Sequence, residues 1–118
     1  MRVIIAGSRT ITDLIRVRQA MFDAGLNDIA PTRIVCGMAR GVDMLGREWA
    51  HAMDMPVDEF PADWSTYGKR AGYLRNEQMA DNADALVALW DGKSPGTKHM
   101  IDIARRKGLK VYVAEVLA

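Results

Sequence analysis

Three glycine-bearing segments each follow an apolar run and open onto a helical pattern. They are Gly7-Ser8-Arg9 after residues 3–6, Gly37-Met38-Ala39-Arg40-Gly41 after residues 34–36, and Gly92-Lys93-Ser94-Pro95-Gly96-Thr97 after residues 86–90. Glycine lets backbone N–H groups approach an anion closely, and a helix beginning there adds the positive end of its dipole. The chemistry such segments suit is the binding of a phosphorylated small molecule. Arg9, Arg40 and Lys98 bring a positive charge to each segment. In the first turn of a helix, Lys98 opposes the dipole by up to about 1 kcal/mol, a sign that a bound anion reverses. For each cation taken singly, a solvated surface position competes with this role.

Ser94 and Thr97 bracket Pro95-Gly96 and offer hydroxyl donors to the same nest of N–H groups. Thr97 is equally suited to capping the following helix. Asp43, two residues beyond Gly41, fits either a ribose hydroxyl or a helix cap. Arg75-Asn76-Glu77 pairs a phosphate-binding side chain with a potential general acid or base, with a surface ion pair as the alternative. Trp64 and Tyr67 can stack on a nucleobase or fill space between loop and core. His51, His99 and the single Cys36 share no ligand spacing, so neither a metal nor another cofactor is expected. Cys36 ends an apolar run and reads as an inert core thiol. Neither the Gly-x-x-x-x-Gly-Lys-Ser/Thr loop nor the Gly-x-Gly-x-x-Gly fingerprint occurs, which argues against NTPases and ordinary dinucleotide dehydrogenases.

These residues need a scaffold that brings the loops together, and the chain is patterned for one. Strand-like and helix-like segments alternate throughout, the signature of a parallel sheet covered on both faces and joined by right-handed crossovers. Strands are expected at residues 2–6, 33–36, 57–60, 85–90 and 110–114, and helices at 13–24, 43–53, 74–82 and 97–107. Leu14, Val17 and Met21 define the inner face of the first helix. Leu45, Trp49 and Ala52 define that of the second. Residues 61–72 have no clear period, and their aromatic and basic side chains suit a cover over the crevice.

At 118 residues the chain fits one domain, residues 1–118. Its 16 basic and 15 acidic residues leave a formal net charge of +1. There is no global basic field of the kind nucleic-acid binding usually shows, and anion specificity must be local. No apolar run is long enough to cross a bilayer, so no membrane partner and a cytoplasmic location are expected. Self-association as a homodimer or larger homo-oligomer is expected too, with some of the eight methionines as a contact surface.

Taken together, Gly7-Ser8-Arg9, Gly37-x-Ala39-x-Gly41-x-Asp43, Gly72-x-x-Arg75-Asn76-x-x-Met79 and Ser94-x-Gly96-Thr97 resemble the SLOG superfamily. It groups the Smf/DprA DNA-processing proteins with the Lonely Guy phosphoribohydrolases, and the small YspA and YpsA-related branch is the most similar. The resemblance implies an α/β, Rossmann-like three-layer sandwich with a mostly parallel sheet of about five strands, holding a nucleotide or nucleotide derivative in its glycine loops. Lonely Guy enzymes cleave an N-glycosidic bond with an arginine, here Arg75, and a glutamate three residues after the loop threonine. Here that second position is Met100. Glycoside cleavage needs a carboxylate, so the expectation is a noncatalytic sensor or sequestering protein for a ligand such as ADP-ribose or a cyclic nucleotide. The alternatives are a nucleoside-monophosphate N-glycosidase using Arg75 with Glu77 or Asp43, and single-stranded DNA binding of the DprA kind.

Overall fold

Val3, Ile4, Ile5 and Ala6 are all shut off from solvent, successive side chains turning to opposite faces of their strand. A strand apolar on both sides belongs at the centre of a covered sheet, and in the computed structural model, which describes residues 1–116, β1 (Arg2–Gly7) is that central strand. Beside it lie β2 (Arg33–Cys36) and β4 (Ala85–Trp90), with β3 (Val57–Glu59) and β5 (Lys110–Glu115) at the edges. The order is β3-β2-β1-β4-β5 and every pairing is parallel, so Ile4 sits opposite both Val35 and Leu86. This is an α/β, Rossmann-like sandwich with a wholly parallel five-stranded sheet. The strand order reverses direction between β1 and β4, and a crevice opens beyond the C-terminal ends of strands at such a point.

Two helices, α1 (Leu14–Gly25) and α2 (Val42–Ala52), cover one face, where Val17, Met21, Val42 and Ala50 pack with Val3, Ile5, Ile34 and Val87. The other face is covered by α4 (Ala71–Asp81) and α5 (Pro95–Arg106), through Met79, Met100, Ile101 and Ile103 against Ile4, Val35 and Leu86. The Asp13 side chain caps α1 by accepting the Ile15 N–H at 2.9 Å.

Three expectations are corrected here. The inner face of α2 is Val42, Gly46 and Ala50; Leu45 and Trp49 pack only at the rim, and Ala52 is exposed. The cause is close approach: a methyl group on Gly46 would lie 2.6 Å from Ile5 Cγ2, so the helix rests on β1 along its glycine line. Secondly, residues 61–72 are not irregular. They contain the single turn α3 (Trp64–Tyr67), capped by Asp63 through the Thr66 N–H at 3.1 Å, then a 3₁₀ turn (Gly68–Arg70) and the start of α4. Segments this short carry no readable period. Thirdly, α5 starts at Pro95, which suits a first turn because the missing N–H has no intrahelical partner there. Thr97 is therefore inside the helix and does not cap it.

Of the methionines, Met21, Met79 and Met100 are core, while Met44 and Met53 are exposed. The most exposed large apolar side chains are Ile15, Phe22 and Leu26, on or just beyond α1. Among the described residues no helix is long and apolar enough to cross a membrane.

Candidate functional site

The loop after β1 is fastened first to the end of β4. The Ser8 N–H donates to the Leu89 carbonyl at 3.0 Å, and the Ser8 hydroxyl oxygen accepts the Asp91 N–H at 3.2 Å. Asp91 in turn organises the loop into α5. Its Oδ1 accepts the N–H groups of Lys93 and Ser94, each at 2.8 Å, and its Oδ2 accepts the Ser94 hydroxyl at 3.0 Å. The backbone N–H of Ser94, then that of Lys93, hold the Asp91 carboxyl down to about 2. Asp91 escaped the sequence reading, although an aspartate followed by Gly and Ser ahead of a helical proline is a recognisable side-chain-to-backbone turn.

The loop after β2 passes beneath the first. Gly41 has φ 78°, and a methyl group there would stand 2.6 Å from both Arg9 Cα and the Ser8 carbonyl oxygen. Only glycine relieves both constraints. Asp43, in the first turn of α2, is 5% exposed, and its Oδ2 accepts the Ala39 N–H at 3.2 Å. Burial pushes its carboxyl up to about 6, against the pull of the Arg75 charge and the N–H groups of Ala39 and Gly7.

Arg75 enters from α4 and is 9% exposed. Its Nε donates to Asn76 Oδ1 at 3.1 Å and its Nη1 to the Gly37 carbonyl, while Nη2 has no hydrogen-bond partner among the described residues. Asn76 joins α4 to α5, donating to the Gly96 carbonyl at 3.3 Å and meeting His99 Nδ1 at 3.1 Å. The His99 ring lies edge-on to Tyr73, centroids 4.4 Å apart, and burial lowers its pKa.

Between these parts lies a crevice of about 400 Å³ at the β1/β4 switch point. The first loop contributes Gly7, Ser8 and Arg9, and the second contributes Ala39 and Asp43. Trp64, Arg75 and Asn76, with Ser94, Pro95, Gly96 and Thr97, join the lining. Gly37 lines an adjoining cavity of about 160 Å³. Lys69, Tyr73 and Met100 also line the main crevice.

Four residues expected at the site are not brought into the crevice lining. Arg40 is exposed at the tip of its loop, and Gly41 is packed under Arg9. Lys98 reaches away along α5 to Asp102, 2.8 Å from its carboxylate, as an exposed i, i+4 pair. Glu77 faces solvent on α4. The Ser94 hydroxyl lies in the crevice wall but is already committed to Asp91. Tyr67, the second aromatic considered for stacking, is exposed and does not line the crevice.

What remains can recognise an anion and a polar ligand body. Arg9 and Arg75 supply charge, and the N–H groups of Gly96 and Thr97 head α5, Pro95 having none. Trp64, 51% exposed, offers a ring face. Asp43 is the one carboxylate in the lining, and Met100, 1% exposed, presents a thioether where the resemblance would place a glutamate. Cys36 is fully buried, its thiol pushed up to about 11 by desolvation and by the Asp43 charge. Among the described residues no group of three or more His, Cys, Asp or Glu side chains is placed to hold a metal ion.

The model of the YspA, cpYpsA-related SLOG family matches residues 1–67, the stretch that carries the first two loops, Asp43 and Trp64. Over 116 residues the chain is 35% identical to the Gene 61 protein of Mycobacterium phage D29, with 93% of each chain covered. That relative's span extends the likeness beyond the family match, toward Arg75 and the Ser94–Thr97 loop. No solved structure matches the chain. On the family match and the phage relative together, the chain belongs to the YspA, cpYpsA-related SLOG family.

Proposed function

We propose that this protein binds a nucleotide or nucleotide-derived ligand in the crevice between β1 and β4, as a sensor or sequestering protein. The observation that carries the reading is Arg75. It is nine-tenths buried, held by two hydrogen bonds and part of the crevice lining, and its spare donor is open to solvent instead of being buried without a partner. A fixed guanidinium with a free donor in a crevice suits a phosphate, which matches its planar geometry. Arg9, the N–H groups of Gly96 and Thr97, and the Trp64 ring support the same class of ligand. The crevice volume falls in the range of small-molecule sites.

Titration calorimetry against AMP, ADP-ribose and cyclic oligonucleotides tests this, with Arg75→Ala as the control. Binding that weakens at least tenfold in the variant supports the reading, since a hydrogen bond to a charged group contributes roughly 1.5–3 kcal/mol. Absence of binding across the panel overturns it.

One observation favours a second reading, a nucleotide N-glycosidase. A carboxyl poised near neutrality in a cleft is a common mark of acid–base chemistry, and Asp43 at about 6 is the carboxylate so placed. Chromatographic detection of base released from AMP, lost in Asp43→Asn, supports turnover. Glu77, the other carboxylate considered, faces solvent on α4 and lies outside the crevice lining, so Glu77→Gln is expected to leave such turnover unchanged.

A further inference from the structure

The Asn76 side chain meets three partners. Its Oδ1 accepts from Arg75 Nε at 3.1 Å, and its Nδ2 faces both the Gly96 carbonyl at 3.3 Å and His99 Nδ1 at 3.1 Å. An arginine Nε only donates and a backbone carbonyl only accepts, so these two partners leave the amide a single orientation. Both Nδ2 hydrogens are then assigned, and the nitrogen that His99 turns toward the second must accept it. A ring nitrogen that accepts carries no proton. His99 is therefore neutral, with its proton on Nε2.

Protonation of His99 would set one N–H against another. The amide has no way to answer by turning over, because the reversed amide points Nδ2 at the Arg75 Nε–H and Oδ1 at the Gly96 carbonyl. Asn76 and Arg75 are 6% and 9% exposed, which leaves little water to replace the lost contacts. The ring itself is held edge-on by Tyr73 of α4, and the charged groups that act on it are Glu77 of α4 and Asp102 and Arg106 of α5. Burial outweighs the pull of the Glu77 carboxylate and keeps the neutral form favoured. His99 lies outside the crevice lining and reaches it only through Asn76.

We infer that His99 is a positioning residue: as a neutral acceptor it fixes Asn76, Asn76 fixes Arg75 Nε, and protonation of His99 releases the guanidinium and weakens anion binding in the crevice. The effect on a ligand rests on the nucleotide reading above. The hold on Arg75 does not, and it gives a role to a histidine that has no metal-ligand spacing and touches no part of the crevice.

Two measurements on the intact chain test it, one without ligand. Nitrogen-15 NMR of the histidine rings, assigned with His51→Gln, is expected to show His99 at pH 8 with its proton on Nε2. The Arg75 Nε–H signal, identified by its loss in Arg75→Ala, is expected at pH 7 and to fade at pH 5, against the ordinary slowing of exchange by acid. In His99→Asn, whose Oδ1 stands where the ring places Nδ1 and does not titrate, that signal should persist at pH 5. A proton on Nδ1, or an Nε–H signal with the same pH dependence in both proteins, overturns the inference.

The second measurement is calorimetry with ADP-ribose, chosen because a terminal phosphate would itself titrate at about 6. Asp43 titrates in the same range and is common to every variant, so the comparison between variants isolates His99. Wild-type affinity is expected to fall at least threefold more than that of His99→Asn between pH 8 and pH 5. At pH 8, His99→Phe keeps a ring against Tyr73 but offers no acceptor, and should bind at least fivefold more weakly, with His99→Asn recovering most of that loss. Equal pH profiles, or a Phe variant that binds like wild type, overturn the inference and leave the nucleotide reading standing. Absence of ADP-ribose binding at either pH counts against the nucleotide reading, and the Arg75 Nε–H signal then decides the role of His99 by itself. The NMR of the unaltered protein decides it too if the Phe variant fails to fold.

Discussion

Asp43 and Arg75 both crowd the space beside the α-carbon of Gly37: a methyl group built there would lie 2.8 Å from Asp43 Oδ2 and 2.5 Å from Arg75 Nη1. The carboxylate of α2 and the guanidinium of α4 thus both reach into the room that the missing side chain leaves.

Gly37→Ala is therefore expected to damage both the fold and the site. Overpacking of this kind costs about 1–3 kcal/mol, and neither neighbour can retreat cheaply, since Arg75 is tied to the Gly37 carbonyl and Asp43 to Ala39. Urea denaturation and calorimetry should show a loss in that range together with at least tenfold weaker nucleotide binding. A variant with wild-type stability and affinity would mean that the two side chains are looser than described.

Asp43 makes stability fall with rising pH. Its folded-state value of about 6 exceeds the ordinary 3.8, so the buried protonated form is favoured. The contribution is complete below pH 3.8 and is lost as pH climbs through about 6, a loss on the order of 3 kcal/mol for this group. Other groups titrate too, so the informative quantity is the difference between wild type and Asp43→Asn. That difference should shift in favour of the variant between pH 4 and pH 7 in denaturant titrations. Parallel profiles would refute the assignment.

Cys36 should be chemically silent. With its thiol pushed up to about 11 and its side chain fully buried, almost no thiolate exists at neutral pH and no reagent reaches it. Iodoacetamide at pH 8 is expected to leave the native protein unmodified and to label it fully in urea, as read by intact mass. Labelling of the native form at the rate of a free thiol contradicts this.

Asp91→Ala is expected to loosen the entry to α5. The variant loses the acceptor for Lys93, for Ser94 and for the Ser94 hydroxyl, so hydrogen exchange at the two amides should accelerate and Tm should fall. The carboxyl is held down to about 2, so its contribution is present above the ordinary 3.8 and disappears as pH falls through about 2. Ser94→Ala removes only the hydroxyl contact and should leave ligand affinity nearly unchanged. A large drop in affinity there would show that the hydroxyl leaves Asp91 for the ligand.

Much of the site was legible before any coordinates. Of the three glycine segments, the first and third line the main crevice, and the second lines it through Ala39 and a smaller neighbouring cavity through Gly37. Arg75 and Asn76 were legible as well. The expected residues that lie outside the crevice lining share a cause. Arg40 and Lys98 are long, flexible cations whose Cα positions lie near the crevice, and their side chains follow solvent and a local partner instead. Asp91 was passed over because its importance lies in the N–H groups that it collects.

The amino-acid sequence by itself determined the five strands, the alternation that makes the sheet parallel, and the loops that line the crevice. Those depend on apolar runs, glycines and prolines acting within a few residues. Tertiary structure decided which charges meet. Arg75 reaches a carbonyl 38 positions away, Ser8 meets Asp91 across 83, and α2 turns its glycine rather than its leucine to β1. Such contacts depend on how closely helices settle on the sheet, a packing outcome summed over the whole core that no local pattern records.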